Sequence, residues 1–410
     1  MSTYTYPYAD TVAHLQSSDI RDLMKYAIRD DFVSFAGGMP NNHLFPVAEV
    51  EKIYHHLPQH VKELSFQYGP TTGYPPLVET LKKYMETKGI SFDTHDLMVT
   101  TGSLQAIYIF TQLFVNPGDT ILTENPSFIG ALTLFKSFQA DLIGIPMDKD
   151  GIIPEKLEEQ YRQAVEQGKN VKFLYVIPNF HNPAGLIYDK ERRRFILDFI
   201  KKHDLLLLED DAYNELYLNE NDKELTTPVL AMADNEVKNQ IAYAGSFSKI
   251  MGPGFRLGWL IVPKGMFSHA EIIKQSLDAC SPNLSQVIAH AFMDQGYMSK
   301  YLERIRPEYR LRRDLTLQAV KKYFPPEVKY VEPRGGFYIW FELPEGAEAK
   351  KVLDYALENG VVFVLGHSFD PDRKRQNTFR LAYSNVNPED IDKAVKIIAE
   401  GIRKQLEKAK

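Results

Sequence analysis

Between Thr94 and Pro263, short apolar runs alternate with longer stretches whose apolar residues recur at helical spacing. One cycle reads in full. "VKFLYVI", Val171 to Ile177, has the composition of a buried strand; "DKERRRFILDFIKKH" opens on a capping Asp189 and carries an apolar face at Phe195, Ile196, Phe199 and Ile200; "LLLLED" is the next strand. Strands alternating with covering helices predict an α/β chain built on a mostly parallel sheet with helices on both faces. The loops after such strands fall at their carboxyl ends, where open α/β sheets bind ligands.

After about residue 300 the texture changes. A charged helical stretch, "YLERIRPEYRLRRDLTLQAVKKYF", leads to the strand-like "GGFYIWFELP", a helix "AKKVLDYALENG", a strand "VVFVLG" and a terminal helix from "NPEDIDKAVKII". This predicts a smaller α+β unit. With 410 residues, 44% of them hydrophobic, the chain is too long for a single core, so two domains are expected.

Charge and cysteine content exclude several function classes. The net charge is −6 and no basic block stands out, so no nucleic-acid partner is expected. "MSTYTYPYADTVAHLQ" lacks the basic start and apolar stretch of a signal peptide, and no window approaches the ~18 apolar residues of a membrane span. A cytoplasmic protein without a membrane partner is the expectation. Cys280 is the only cysteine, which rules out an intrachain disulfide and reads as a buried small hydrophobe.

Four loops carry polar residues that a sheet does not need. In "TTGSLQAIYIF", Gly102 and Ser103 open a helix whose free N–H groups suit a phosphate, although Ser103 read alone is a helix cap. In "PNFHNPAG", Asn182 lies in an ordinary Asn-Pro turn. In "LLLLEDDAYNEL", Glu209, Asp210 and Asp211 end a buried strand, either as a solvated acidic edge or as carboxylates met by a cation.

The fourth loop, "GSFSKIMGPGFRLGW", joins two strand-like runs and places Lys249 seven residues before Arg256 among Ser246, Ser248 and glycines. Lysine becomes a nucleophilic amine when desolvated or set beside positive charge, and so can form an imine with an aldehyde. Arginine stays charged and grips phosphate through its fork of donors. Together they fit a cofactor carrying both an aldehyde and a phosphate. Two rival motifs fail on context. Ser246 and Lys249 spell S-x-x-K, but Gly252, Pro253 and Gly254 stand where its helix would run and its companion motifs are absent. "GPGFRLG" is too long for a dinucleotide fingerprint and opens into a strand.

With these residues in view the chain resembles the fold-type I aminotransferases that depend on pyridoxal 5′-phosphate, in the branch of 2-aminoadipate and kynurenine (aromatic) aminotransferases. The likeness runs nearly end to end, through "SFAGGMPNNHLFP", "FQYGPTTGYPPL", "TTGSLQA", "ENPSFIGAL", "HNPAG", "EDDAYNELY", "GSFSKIMGPGFRLGW" and "FRLAYSN". It implies the aspartate aminotransferase-like fold, with residues 1–45 as an N-terminal segment against the small domain and substrate site, 46–295 as the large cofactor domain and 296–410 as the small domain.

By that resemblance Lys249 bonds to the cofactor aldehyde and later shuttles the substrate proton, and Asp210 pairs with the pyridine nitrogen. Asn182 and Tyr213 bond the phenolic oxygen. Ser103, the backbone N–H of Leu104, Ser246, Ser248 and Arg256 hold the phosphate, and Phe128, where many relatives have tyrosine, stacks on the ring. Tyr68 reaches the phosphate of a neighbouring subunit, which implies a homodimer with shared active sites. Arg380 clamps the substrate α-carboxylate with help from Asn182, while Arg21 and Gly38 close over the substrate, Arg21 meeting a side-chain carboxylate of glutamate or 2-aminoadipate. Leu365 stands where relatives usually carry proline before glycine.

The activity so implied moves the amino group of an L-amino acid of 2-aminoadipate, aromatic or branched-chain type to a 2-oxo acid, 2-oxoglutarate being the expected acceptor, in ping-pong fashion. A lyase or decarboxylase on the same scaffold is the alternative within enzymes. A regulator that senses the cofactor through such a domain is the alternative outside them, and the likeness starting by about Ile20 leaves no room upstream for its DNA-binding part. Glu51, His55 and His60 at helical spacing read as surface residues rather than metal ligands, and "ERRR" at Glu191 to Arg194 as a solvated helix face.

Overall fold

Helices on both faces of the main sheet explain why its central strands are apolar along their whole length. The computed structural model describes residues 6–9, 23, 25–26, 29 and 31–408. The strands are, in chain order, β1 (Val33–Ser34), β2 (His95–Thr100), β3 (Thr120–Asn125), β4 (Asp141–Asp148), β5 (Gly151–Ile152), β6 (Val171–Val176), β7 (Leu206–Asp211), β8 (Ile241–Ser246) and β9 (Gly258–Pro263). Further on come β10 (Lys329–Tyr330), β11 (Tyr338–Glu342), β12 (Val361–Val362), β13 (Val364–Leu365) and β14 (Thr378–Ala382).

The large sheet has the order β2-β9-β8-β7-β6-β3-β4-β5. Pairing is parallel from β8 through β7, β6 and β3 to β4; β9 runs antiparallel to both β8 and β2. Consequently β2, β3, β6, β7 and β8 all point one way. Their carboxyl ends, at Thr100, Asn125, Val176, Asp211 and Ser246, share one edge, and every polar loop picked out in the sequence leaves from it.

The cycle from Val171 forms as its pattern predicts. The helix Lys190–His203 starts at Asp189, whose carboxylate accepts the Arg192 N–H at 2.7 Å, a cap worth about 1 kcal/mol. It buries Ile196, Leu197, Phe199 and Ile200, each contributing roughly 1.5–3 kcal/mol against leaving it exposed, and ends where Asp204 turns left-handed at φ 48°. One expectation fails here. Arg193 is only 1% exposed and donates to the carbonyls of Tyr188, Thr227 and Pro178 and to Asn179 Oδ1. Arg192 is largely covered too, bonding Asp148 at 3.0 Å and the Ile152 carbonyl, so only Glu191 and Arg194 of the run "ERRR" are solvated, and Arg193 offsets the buried carboxylates Glu209 and Asp211. Cys280 is half-buried rather than buried.

A second sheet, β10-β11-β14-β13, is antiparallel. "VVFVLG" divides at Phe363, because Val361–Val362 pairs with β1 while Val364–Leu365 pairs with β14. The strand after β1 continues this pairing: Phe35 donates to Val362 O at 2.8 Å and accepts from Ala382 N at 2.9 Å. Those bonds carry Gly37 and Gly38 over the carboxyl edge of the large sheet. Among the described residues no helix is long and apolar enough to cross a membrane.

Candidate active site

At the start of the helix Ser103–Phe114, Gly102 holds φ 84° and is the residue that precedes the first turn; Ser103 is the first helical residue and caps nothing. The N–H groups of Ser103 and Leu104 thus stay available to an anion, while that of Gln105 donates to Gly102 O at 3.2 Å. There is no space for side chains around them. A Cβ on Gly102 would stand 2.8 Å from Arg256 Nη2, and one on Gly258 would stand 2.7 Å from Ser103 N. Arg256 itself adopts a left-handed φ of 52° after the tight turn Pro253–Phe255, and its guanidinium bonds the carbonyls of Pro253 and Thr101 at 3.2 and 3.4 Å. A non-glycine residue in that conformation is sparsely populated and is held by its surroundings. From below, Asp278 fixes Thr101, Gln105 and Lys274 by bonds of 2.6, 2.8 and 2.7 Å.

The acidic strand end is not solvated. Glu209, Asp210 and Asp211 are all buried. Because successive side chains of a strand face opposite ways, Glu209 and Asp211 turn from the site. Glu209 accepts the N–H groups of Val229 and Leu230, and Asp211 accepts from Asn179, Tyr243 and Asn214. Burial pushes both carboxyls up from their ordinary range.

Asp210 faces the other way. Its Oδ2 accepts the Tyr175 hydroxyl at 2.7 Å, and its Oδ1 is buried with no hydrogen-bond partner. Burial pushes this carboxyl up to about 7, opposed by the Tyr175 bond and reinforced by the charges of Asp211 and Glu124. A buried acceptor without a donor costs about 1–3 kcal/mol, so this atom is poised for a cationic or N–H partner.

Lys249 leaves the turn after β8 and donates to Gly38 O at 2.8 Å. Burial brings its amine down to about 8, with the positive charges of Arg380 and Arg256 adding to the effect. Across the cavity, Arg380 on β14 donates to Asn182 Oδ1 at 3.0 Å and to Ala36 O at 2.6 Å. Its guanidinium lies 4.4 Å from the Tyr338 ring centroid and 4.7 Å from that of Phe369, and Nε has no partner. The Asn182 turn is fastened behind by His181: Nδ1 accepts the Ala184 N–H at 3.1 Å, so Nε2 carries the proton and donates to Glu124 at 2.9 Å. Tyr213 meets Tyr338 hydroxyl to hydroxyl at 2.7 Å.

These groups enclose one cavity of about 380 Å³. Ser103, Leu104, Ser246, Ser248 and Arg256 line it together with Asn182, Asp210, Tyr213, Lys249, Arg380, Phe128 and Gly38. Tyr68 is 81% exposed and does not line it, and Leu365 is buried away from it. Arg21 lies outside the described residues. Sequence reasoning missed Tyr338, which also lines the cavity, and Tyr175 behind Asp210. A tyrosine inside a fully buried strand needs a partner for its hydroxyl, which was the available signal for Tyr175; no local signal marked Tyr338.

The donor set suits pyridoxal phosphate at each of its reactive points. The N–H groups at a glycine-flanked helix start, with Arg256, match a phosphate, a lowered amine matches an aldehyde, and the unpartnered Asp210 Oδ1 matches a protonated ring nitrogen.

Residues 40–398 match the family aminotransferase class I and II. The chain is 36% identical over 403 residues to the aromatic-amino-acid aminotransferase 1 of Thermococcus litoralis, covering 98% of this chain and 95% of that one. It is 32% identical over 390 residues to the 2-aminoadipate transaminase of Thermus thermophilus, covering 95% and 93%. Among solved structures, the kynurenine aminotransferase of Pyrococcus horikoshii, in complex with pyridoxamine phosphate and kynurenine, superposes with a TM-score of 0.92 at 36% identity over 98% of both chains. An amine, a carboxylate and an anion cradle converging on one cavity, in a chain that shares both sequence and fold with these enzymes, make this protein a member of the class I and II aminotransferases, a transaminase that works with pyridoxal phosphate.

Proposed function

We propose that the protein transfers the amino group of an L-amino acid with an aromatic or 2-aminoadipate-like side chain to 2-oxoglutarate by a ping-pong route. The observation that carries this reading is the opposition, in one cavity, of the lowered Lys249 amine and the Arg380 guanidinium. When bound, pyridoxal phosphate supplies an aldehyde that takes up amines and a protonated ring that draws off the electron pair left when a bond to Cα breaks. Lys249 would hold the cofactor through its amine and would carry the substrate Cα proton, a task favoured by the burial that lowers its pKa in the cofactor-free site. Asp210 keeps the ring nitrogen protonated. Ser103, Leu104 N–H, Ser246, Ser248 and Arg256 bind the phosphate, Phe128 covers the ring, and Asn182 and Tyr213 bond the phenolic oxygen.

Arg380 binds the α-carboxylate and is held ready by Asn182 and Ala36. The identity of the donor is supported by relatives named for aromatic amino acids, 2-aminoadipate and kynurenine. Arg21 and Gly38 are assigned to side-chain closure, and Gly38 lines the cavity. A homodimer in which Tyr68 enters the partner's site is part of the reading, supported by Phe66 and Tyr68 standing 74% and 81% exposed on one segment. So are a cytoplasmic location and the division at residues 45 and 295, the latter supported by the two sheets falling on either side of it.

The test is an absorbance spectrum of the purified holoenzyme, followed by single amino acids with and without 2-oxoglutarate. Bleaching by aromatic or 2-aminoadipate donors, with glutamate formed when 2-oxoglutarate is present, supports the reading. Bleaching by neither group overturns the donor assignment.

A further inference from the structure

Among the polar side chains lining the cavity, Tyr338 is the one given no role above, and its position is fixed by packing along the whole residue. It opens β11, opposite Ala382 and diagonal to Arg380 on β14, the arrangement in which long side chains of adjacent strands touch. That register lays its ring under the Arg380 guanidinium. Its backbone carbonyl packs against the Asn182 turn so closely that a Cβ on Gly185 would overlap it, and its hydroxyl occupies the space that a Cβ on Gly38 would need. The hydroxyl therefore has little freedom to move, and it ends 2.7 Å from the hydroxyl of Tyr213.

A phenol has one proton to give and lone pairs to receive with. Either of the two can donate while both are free. Once Tyr213 commits its proton to the phenolic oxygen of the cofactor, only Tyr338 can donate between them. Hydrogen bonds in such a chain polarise one another, so a Tyr213 that is itself receiving becomes the stronger donor.

We propose that Tyr338 is a positioning residue that fixes the Tyr213 hydroxyl and strengthens its donation to the bound cofactor. The inference rests on the role of Tyr213 given above. Negative charge on the phenolic oxygen helps to retain the proton of the lysine–cofactor linkage, and Tyr213 withdraws part of that charge. Loss of the Tyr338 hydroxyl returns some of it, so the linkage holds its proton to higher pH.

The experiment is a pH titration of the visible absorbance of three holoenzymes: wild type, Tyr338→Phe and Tyr213→Phe. Tyr338→Phe keeps the ring beneath Arg380. Its titration midpoint is expected to rise by on the order of half a pH unit, less than the rise in Tyr213→Phe, with KM for amino-acid donors within about twofold of wild type. Tyr338→Leu, which also removes the ring, is expected to raise KM in addition. A shift in Tyr213→Phe with none in Tyr338→Phe overturns the proposal and leaves the role of Tyr213 standing. No shift in either overturns both.

Discussion

Arg380 donates to Asn182 Oδ1 at 3.0 Å across 198 residues of chain, joining β14 of the second sheet to the turn after β6 of the first. The bond sets the guanidinium before any substrate arrives. An arginine held by a side-chain amide and the Ala36 carbonyl, and flanked by two rings, keeps Nε unpartnered and enters binding already ordered.

Under the proposed role, replacing Arg380 removes the buried charge that would meet the substrate α-carboxylate. Arg380→Ala is expected to lower kcat/KM by on the order of 10²–10³ for every amino-acid donor alike, chiefly through KM. Steady-state kinetics with a neutral, an aromatic and an acidic donor check this. An effect confined to acidic donors would move Arg380 to side-chain recognition.

Asp210 gives the cofactor-free protein a pH dependence. Its folded pKa, about 7, lies above the ordinary value of 3.8. Its contribution to stability is therefore complete below about pH 4 and is lost as pH rises towards 7 and beyond. Asp210→Asn should flatten that part of the stability curve, leaving the slope due to Glu209 and Asp211, and should cut transamination by at least about 10²-fold. Thermal melts of both cofactor-free proteins from pH 4 to 8 read the first effect; parallel curves would show that Asp210 is not strained by burial.

Lys249→Ala is expected to abolish transamination and the visible absorbance together. In the wild type, the neutral amine that attacks the aldehyde becomes available as pH approaches about 8. The rate at which cofactor-free protein takes up pyridoxal phosphate should rise with pH and level off just above 8. A plateau reached only near the usual lysine value of 10.5 would mean that burial and the two arginines leave the amine unaltered.

Arg193 is bound inside the core and does not line the cavity. It satisfies three carbonyls and Asn179, and its charge offsets Glu209 and Asp211. Arg193→Ala strands these groups in the core and is expected to cost about 3–5 kcal/mol. Denaturant unfolding of the holoenzyme measures it, and a loss below about 1 kcal/mol would show the cluster to be self-sufficient.

The sheet was legible because its signal is local. Apolar runs at strand length and helical periodicity between them follow from burial on two faces and on one, and they hold for β6, the helix Lys190–His203 and β7 whatever lies nearby. Lys249 and Arg256 stood out for a related reason: an amine and a guanidinium have a chemistry that does not depend on distant contacts, whereas Ser103, read alone as a cap, proves to be the first helical residue after Gly102. Arg193 was misread because an arginine among other charges looks solvated unless the carbonyls of Pro178 and Thr227 are known to converge on it.

By itself the sequence determined the order of strands and helices, the loops that gather at one edge of the sheet, and the likeness to transaminases. Read alone, the three successive carboxylates were equivalent and only the resemblance singled out Asp210; the tertiary structure supplies the reason, since strand alternation and the Tyr175 bond turn Asp210 inward and its neighbours away. It also decided that Lys249 is deprotonated more readily than an exposed lysine, and that Tyr338 stands against Tyr213. Desolvation and contact between side chains 125 residues apart are properties of a folded interior, and no stretch of sequence holds them.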